Sequence, residues 1–307
     1  FSRTNENKNV IYEELENAEK EMWQNGIIAL GDISNDGYSF KAKSESLMCT
    51  HTFIECFGFY PDHAEVYFKK SLELLNQALQ QNLSASITPH APYSVPPELF
   101  NLIFSYNVNQ PLIYSYHNQE SEAENNFFIS GSGEFLRVFN HFNVPLSLFE
   151  ATGKNSLHSV IDYFPPDKKI LFVHNTFSGA EDIAVINSQC PKSYFCFCPN
   201  ANNYIEDRLP DFSLFRNFSD RICIGTDSLA SNNHLSVLEE MKTIQAAEHS
   251  ISTEELLQWA TLNGANFFGW NDQLGSIEKG KRPGLNLITD VSPSLQLTPQ
   301  SGIRKIV

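Results

Sequence analysis

Short apolar runs separated by stretches of helical spacing recur from Ile27 to Asp227, and this alternation limits the fold more than any other feature of the chain. Val10 to Gln24 reads as a helix, with Ile11, Leu15, Ala18 and Met22 three or four residues apart, and Gly26 breaks it before the apolar run Ile27 to Ile33. Leu47 to Phe57 is strand-like, Ala64 to Gln81 helical, Ala85 to His90 a short strand and Pro97 to Tyr106 a helix. Pro111 to His117 reads as a strand, Phe135 to Phe142 as a helix, and Pro145 to Phe164 as a further strand and helix. Strands follow at Lys169 to His174, Ser193 to Cys198 and Arg221 to Asp227, with short helices at Glu181 to Asn187 and Leu214 to Phe218 between them. Longer helices are expected at Leu235 to Ala247 and Thr253 to Phe268. Short strands joined by helices pair in parallel, since a crossover of about a dozen residues returns the chain to run in the same direction. The fold class is therefore α/β, a parallel sheet or barrel.

The main strands centre on Ile27, Met48, Ile87, Leu112, Ile170, Tyr194 and Ile222, one short of an eight-stranded barrel. The eighth strand is expected ahead of the opening helix, in sequence upstream of residues 1–4, which look like neither an initiator methionine nor a signal peptide. After Gly275 the pattern changes to Gly, Pro and short alternating segments, Leu285 to Ile288, Leu295 to Leu297 and Ile303 to Val307, so a small β element is expected there. The division is 1–272 for the large domain and 273–307 for the tail. A chain of 307 residues, 41% hydrophobic and 12% aromatic, can bury one large core, and its 24 Phe suit a homo-oligomeric interface equally well.

Charge narrows the partners. With 21 Lys and Arg against 36 Asp and Glu, the net charge is −15, and no basic cluster offers itself to nucleic acid or to an anionic membrane surface. No run of about 18 apolar residues occurs. The six cysteines, Cys49, Cys56, Cys190, Cys196, Cys198 and Cys223, show no framework spacing and lie mostly in apolar runs, so buried free thiols and a cytoplasmic location are expected. Cys196-x-Cys198 is too tight for a zinc knuckle.

In a parallel barrel the site lies at the carboxyl ends of the strands. Three histidines, His90, His117 and His174, close strong apolar runs, and Asp227 closes another. Any one of them alone could be an ordinary hydrogen-bonded side chain; together they offer the imidazole and carboxylate ligands of a catalytic divalent ion, which lowers the pKa of a bound water. Glu120, three residues beyond His117, can reach the same pocket and hold a proton for a ring nitrogen, whereas Glu122 and Glu124 read as helix-capping acids. His51, His63, His141, His158, His234 and His249 read as surface or packing residues.

Several segments stand in a telling order: Thr88-Pro89-His90-Ala91-Pro92-Tyr93-Ser94, His117-x-x-Glu120-Ser121, Val173-His174-Asn175, Cys198-Pro199-Asn200-Ala201-Asn202 and Gly225-Thr226-Asp227-Ser228-Leu229-Ala230-Ser231-Asn232-Asn233. Ala260-Thr261-Leu262-Asn263-Gly264-Ala265 and Leu274-Gly275-Ser276-Ile277-Glu278-Lys279-Gly280-Lys281 follow. The set resembles the amidohydrolase superfamily, in particular its S-adenosylhomocysteine and guanine deaminase and chlorohydrolase-like group, from about Ile27 to Ile288. The resemblance implies a (β/α)8 TIM-type barrel, here without its first strand, and a small β-sandwich to which the tail contributes. It implies hydrolytic deamination of a purine, pyrimidine or adenosyl-type heterocycle with one divalent ion, zinc favoured and iron acceptable. His117 and Asp227 would be ligands, with Asp227 also taking the proton of the water. Glu120 would carry a proton to the substrate, His174 would orient the attacking water, and His90 would contact the substrate. A single ion is favoured because the fourth strand ends in His90 and not in a lysine.

Two departures bear on the substrate and the metal. The family's first-strand His-x-His, which supplies two further ligands, is absent from the 307 residues and is expected upstream. The stretch Asn202 to Pro210 replaces a shorter turn, so Asn202 and Arg208 are candidate substrate contacts from a loop facing the pocket. A chlorohydrolase or cyclic-amide hydrolase on the same scaffold stays open, as does a metal-free barrel that only binds.

Overall fold

Seven parallel strands carry the larger part of the computed structural model, which describes residues 8–106 and 113–307. They are β1 (Ala29–Ser34), β2 (Cys49–Cys56), β3 (Ser84–Pro89), β4 (Ile113–Asn118), β5 (Lys169–His174), β6 (Tyr194–Phe197) and β7 (Ile222–Ile224). Ladders join β1 to β2 to β3, and β4 to β5 to β6 to β7, always between neighbours in sequence and always in parallel. Side chains stitch β3 to β4: the Ser86 hydroxyl donates to the Ile113 carbonyl at 2.8 Å, the Thr88 hydroxyl donates to the Ser115 carbonyl, and Ser115 N–H donates back to Thr88 at 2.7 Å. At the top of this seam His117 N–H donates to the His90 carbonyl at 2.9 Å. The result is the parallel α/β architecture that the alternation predicts, in the TIM-type form that the resemblance implies, followed by an antiparallel pair, β8 (Asn286–Thr289) and β9 (Gly302–Lys305).

Period-two alternation divides each strand between two cores. Ile54, Ile87, Tyr114, Tyr116, Ile170, Phe172, Phe195, Phe197 and Ile222 pack outward into one cluster with helix residues such as Leu75, Leu99, Ile103 and Ile244. Each fully buried ring or branched chain there contributes about 1.5–3 kcal/mol. Phe53, Leu171, Cys196, Cys198 and Cys223 point inward and pack with Phe267 of the helix Leu262–Phe268. Gly31 of β1 leaves room for that helix, since a Cβ there would sit 2.6 Å from the Phe268 ring. Five of the cysteines are buried and all six are free, but Cys49, at the start of β2, is exposed.

The inward face also explains His51. Its ring nitrogens meet the hydroxyls of Ser84 (2.8 Å) and Ser86 (2.9 Å), and burial, helped by the charge of Lys43, pushes its pKa down to about 4. It is a neutral packing residue low in the barrel.

Elsewhere the pattern needed correction. The strand expected near Pro145 is a 3₁₀ turn, Leu146–Leu148, that seats Phe149 on Phe127 with ring centroids 3.9 Å apart. The helix expected over Thr253 to Phe268 breaks at Thr261 (φ −133°, ψ −77°) into Thr253–Ala260 and Leu262–Phe268. Residues 202–206, read as loop, belong to the helix Pro199–Glu206, because Pro199 supplies a preformed first helical position. Leu295 to Leu297 is a turn, with Leu295 at φ +60° and its N–H donated to the Ser292 carbonyl. Residues 1–4 and the opening Pro111 and Leu112 of the strand expected over Pro111 to His117 lie outside the described residues.

Candidate active site at the carboxyl ends of the strands

Every polar residue singled out at a strand end sits on one rim. His90 follows β3, His117 lies in β4, Glu120 just after it, His174 ends β5, Asn202 stands in the helix after β6 and Asp227 follows β7. The chain is turned sharply to place them. Gln119 (φ +46°), His174 (+71°), Asn175 (+56°) and Asp227 (+55°) all occupy the left-handed region, which is uncommon for residues other than glycine and clusters at functional sites. Asparagine amides hold these turns. Asn118 Nδ2 donates to Asn175 Oδ1 at 3.1 Å, Asn175 Nδ2 donates to the Phe172 carbonyl at 2.8 Å, and Asn175 N–H donates to the Asn118 carbonyl at 3.0 Å. The fully buried Gln119 donates to Asp182 (3.2 Å) and accepts from Ser178 (2.6 Å), which fixes the turn that presents Glu120.

Glu120, His174 and Asp227 form one group in which a ligand atom from each lies within 4.8 Å of the other two. His174 is buried; its Nδ1 meets Asn202 Oδ1 at 2.9 Å and its Nε2 lies 3.3 Å from Glu120 Oε1. An amide oxygen only accepts, so the Nδ1 proton is committed to Asn202. Nε2 is then the ring nitrogen that faces the Glu120 carboxylate. Asn202, a candidate substrate contact on sequence grounds, is wholly buried and bonded to His174 in this arrangement. Asp227 accepts from Ser228 N–H (2.7 Å) and the Ser231 hydroxyl (2.7 Å). Gly225, two residues earlier, has no space for a side chain: a Cβ would stand 2.9 Å from Cys196 Sγ.

A second group joins His90 and His117 to a residue that the sequence reading passed over, Glu55 of β2. Glu55 Oε1 lies 3.5 Å from His117 Nδ1 and 3.9 Å from His90 Nε2. His90 Nδ1 pairs with the Ser94 hydroxyl at 2.6 Å. Burial pushes the His90 pKa down, against the opposing pull of Glu55. Burial also disfavours the charged form of His117, but Glu55, Glu120, the His90 carbonyl and Asp227 outweigh it and raise its pKa. The His117 and His174 rings stack with centroids 5.5 Å apart, so the two groups adjoin.

Two buried acids support the rim from behind. Glu240 accepts from Asn200 N–H (2.9 Å), Asn200 Nδ2 (3.0 Å) and Asn232 Nδ2 (2.6 Å), tying the turn after β6 to the loop that carries Asp227. Burial, offset in part by those donors, pushes it up to about 7. Glu124 is not the solvated capping acid expected: Ser121 caps the helix, and the Glu124 carboxylate turns inward to accept from Gln119 N–H (3.0 Å) and the Ser156 hydroxyl. Burial pushes it up to about 8. Arg208 is exposed, its guanidinium 4.4 Å from the Phe177 ring centre, and it shares the rim with Glu206.

The raised Glu124 value fixes the sign of a pH effect. The folded chain favours the neutral carboxyl, so its contribution is complete below the ordinary carboxylate pKa and is lost as pH rises from about 4.5 to about 8. The loss is about 1.4 kcal/mol per pH unit inside that window. Glu124→Gln keeps the acceptor and removes the titration. Urea midpoints taken from pH 5 to pH 9 are expected to fall less steeply in the variant; parallel curves would refute the assignment.

The family model described as Amidohydrolase family matches residues 3–305. An adenosine deaminase of Helicobacter pylori is 28% identical over 278 residues, covering 89% of this chain and 66% of that protein, so the chain spans just under two thirds of its relative. The crystal structure of Helicobacter pylori aminofutalosine deaminase superposes with a TM-score of 0.75 at 25% identity, over 89% of this chain and 68% of the other. An adenosine deaminase from Xanthomonas campestris, solved with bound zinc, shares the fold at a TM-score of 0.71 and 20% identity, over 92% of this chain and 62% of the other.

Proposed function

Because the chain belongs to the amidohydrolase family, we propose that it is the catalytic barrel of a hydrolase that removes ammonia from an adenosine-type heterocycle. The observation that carries this reading is the Asn202, His174, Glu120 arrangement beside Asp227, in which His174 Nε2 faces a Glu120 carboxylate oxygen at 3.3 Å, two groups able to carry a proton. Deamination of a ring amidine needs such a group, since the ring nitrogen must gain a proton and the departing nitrogen must leave as ammonia.

The donor set suits a divalent cation: one ligand atom from each of Glu120, His174 and Asp227 lies within 4.8 Å of the others, and the His117 ring stacks on that of His174 beside them. His117 and Asp227 would hold the ion, zinc in preference to iron, with two further ligands from an upstream His-x-His. The ion would make a water acidic enough to attack at neutral pH. Asp227 would take a proton from that water, His174 would orient it, and Glu120 would pass the proton to the substrate ring. His90, beside Glu55, would contact the substrate, and Arg208 at the rim would meet its more distant parts.

The test is elemental analysis of the full-length protein beside a screen that measures ammonia and chloride release from adenosine-type purines, guanine, pyrimidines and chlorinated rings. About one zinc per chain with ammonia from an adenosine-type compound is the expected result. Chloride release alone would make it a chlorohydrolase. A protein that takes up no metal after reconstitution and turns over nothing would be a binding barrel.

A further inference from the structure

Behind the imidazoles lies a carboxylate to which the proposed reaction assigns no role. Glu55 is on the inward face of β2 by the same alternation that turns His51 and Phe53 inward. Its side chain is 5% exposed, and Oε1 is sealed from solvent without a hydrogen-bond partner. A carboxylate oxygen so placed is costly unless a positive charge or a polarised N–H faces it. The nearest such atoms are His117 Nδ1 at 3.5 Å and His90 Nε2 at 3.9 Å.

His117 Nδ1 also lies 3.0 Å from the His90 carbonyl oxygen, which can only accept, so that nitrogen carries the proton. In the neutral ring the opposite nitrogen, Nε2, is thereby left with a free lone pair. We propose that Glu55 is a positioning residue, whose charge holds the proton on His117 Nδ1 and so presents Nε2 as the metal-binding atom. This rests on the metal site described above. Carboxylates behind a ligating histidine fix its tautomer and raise its basicity, and losing one typically weakens metal binding about 10- to 100-fold. Glu55, His90 and His117 could alternatively hold a second ion, since their ligand atoms lie within 4.8 Å of one another. The commitment of His117 Nδ1 to the His90 carbonyl argues against that use.

The experiment titrates zinc into metal-stripped full-length protein against a chromophoric chelator, for wild type, Glu55→Gln and Glu55→Asp, with melting temperatures recorded in EDTA. Glu55→Gln is expected to weaken zinc binding about 10- to 100-fold at an unchanged melting temperature, with Glu55→Asp recovering part of the loss. An affinity within about twofold of wild type would overturn the role. So would two ions in wild type falling to one in Glu55→Gln, which would make Glu55 a ligand. Long-range ¹H–¹⁵N spectra of labelled histidine in the metal-free wild type supply a check that needs no variant: the Nδ1–H tautomer at His117 is expected, and Nε2–H would refute the proposal. A wild type that binds no zinc would remove the metal reading and this one together, whereas a zinc-binding wild type with an unaffected Glu55→Gln removes only this one.

Discussion

Asp227→Asn will lower kcat/KM by about 10²- to 10⁴-fold and leave the protein with little bound metal. The substitution is a clean probe of charge because the backbone tolerates it. Asp227 stands at φ +55°, a conformation that Asn adopts as readily as Asp. Of its two acceptor contacts, Ser228 N–H to Oδ1 and the Ser231 hydroxyl to Oδ2, an amide keeps one, while the hydroxyl can rotate away from an NH₂ group. The Glu240, Asn200 and Asn232 bonds that hold the loop are untouched. What disappears is one negative charge facing Glu120, His174 and His117. An Asp227→Asn protein with wild-type zinc content and kcat/KM would show that the ligand and proton-accepting roles belong elsewhere.

How far the site could be read in advance follows from where each residue stands. His90, His117, His174 and Asp227 were visible because a polar residue ending an apolar run breaks a pattern, and β5 falls on Lys169–His174 residue for residue as expected. Glu55 was hidden by the same rule: the run was read through to Phe57, which put the acid inside the strand. The inward period of His51, Phe53 and Glu55 was the signal that could have found it. Glu240 and Glu124 were hidden because each lies in the first turn of a helix, where acids are common for reasons of helix polarity. Only tertiary packing turns them inward.

The errors of fold have similar causes. Pro145 to Phe149 alternates like a strand, but the stacking of Phe149 on Phe127 uses a 3₁₀ turn and leaves Leu146 and Leu148 exposed. The break at Thr261 separates two helices whose apolar periodicity continues across it, so nothing in the spacing marks it. The left-handed turns at His174 and Asn175 were equally silent. They exist because Asn118 and Asn175 exchange hydrogen bonds across two strand ends, and that pairing is a property of the folded rim.

Glu120→Gln is expected to cost about 10²- to 10⁴-fold in kcat while zinc content stays at the wild-type level. Gln has the same length and can still meet His174 Nε2, 3.3 Å from the present carboxylate oxygen, so the ring and its Asn202 bond should keep their places. An amide cannot release and regain a proton at neutral pH, and that step alone is removed. KM should change little, because the group acts on the reacting ring nitrogen and not on the distant parts of the substrate. The split separates three readings of the same acid. A fall in kcat with metal retained identifies a proton carrier, and metal loss would make Glu120 a ligand within its group with His174 and Asp227. A rise in KM at constant kcat would make it a binding residue. Near-normal kcat would leave the His174 imidazole as the only proton-carrying member of that pair, and the deaminase chemistry argued from Glu120 would have to be abandoned.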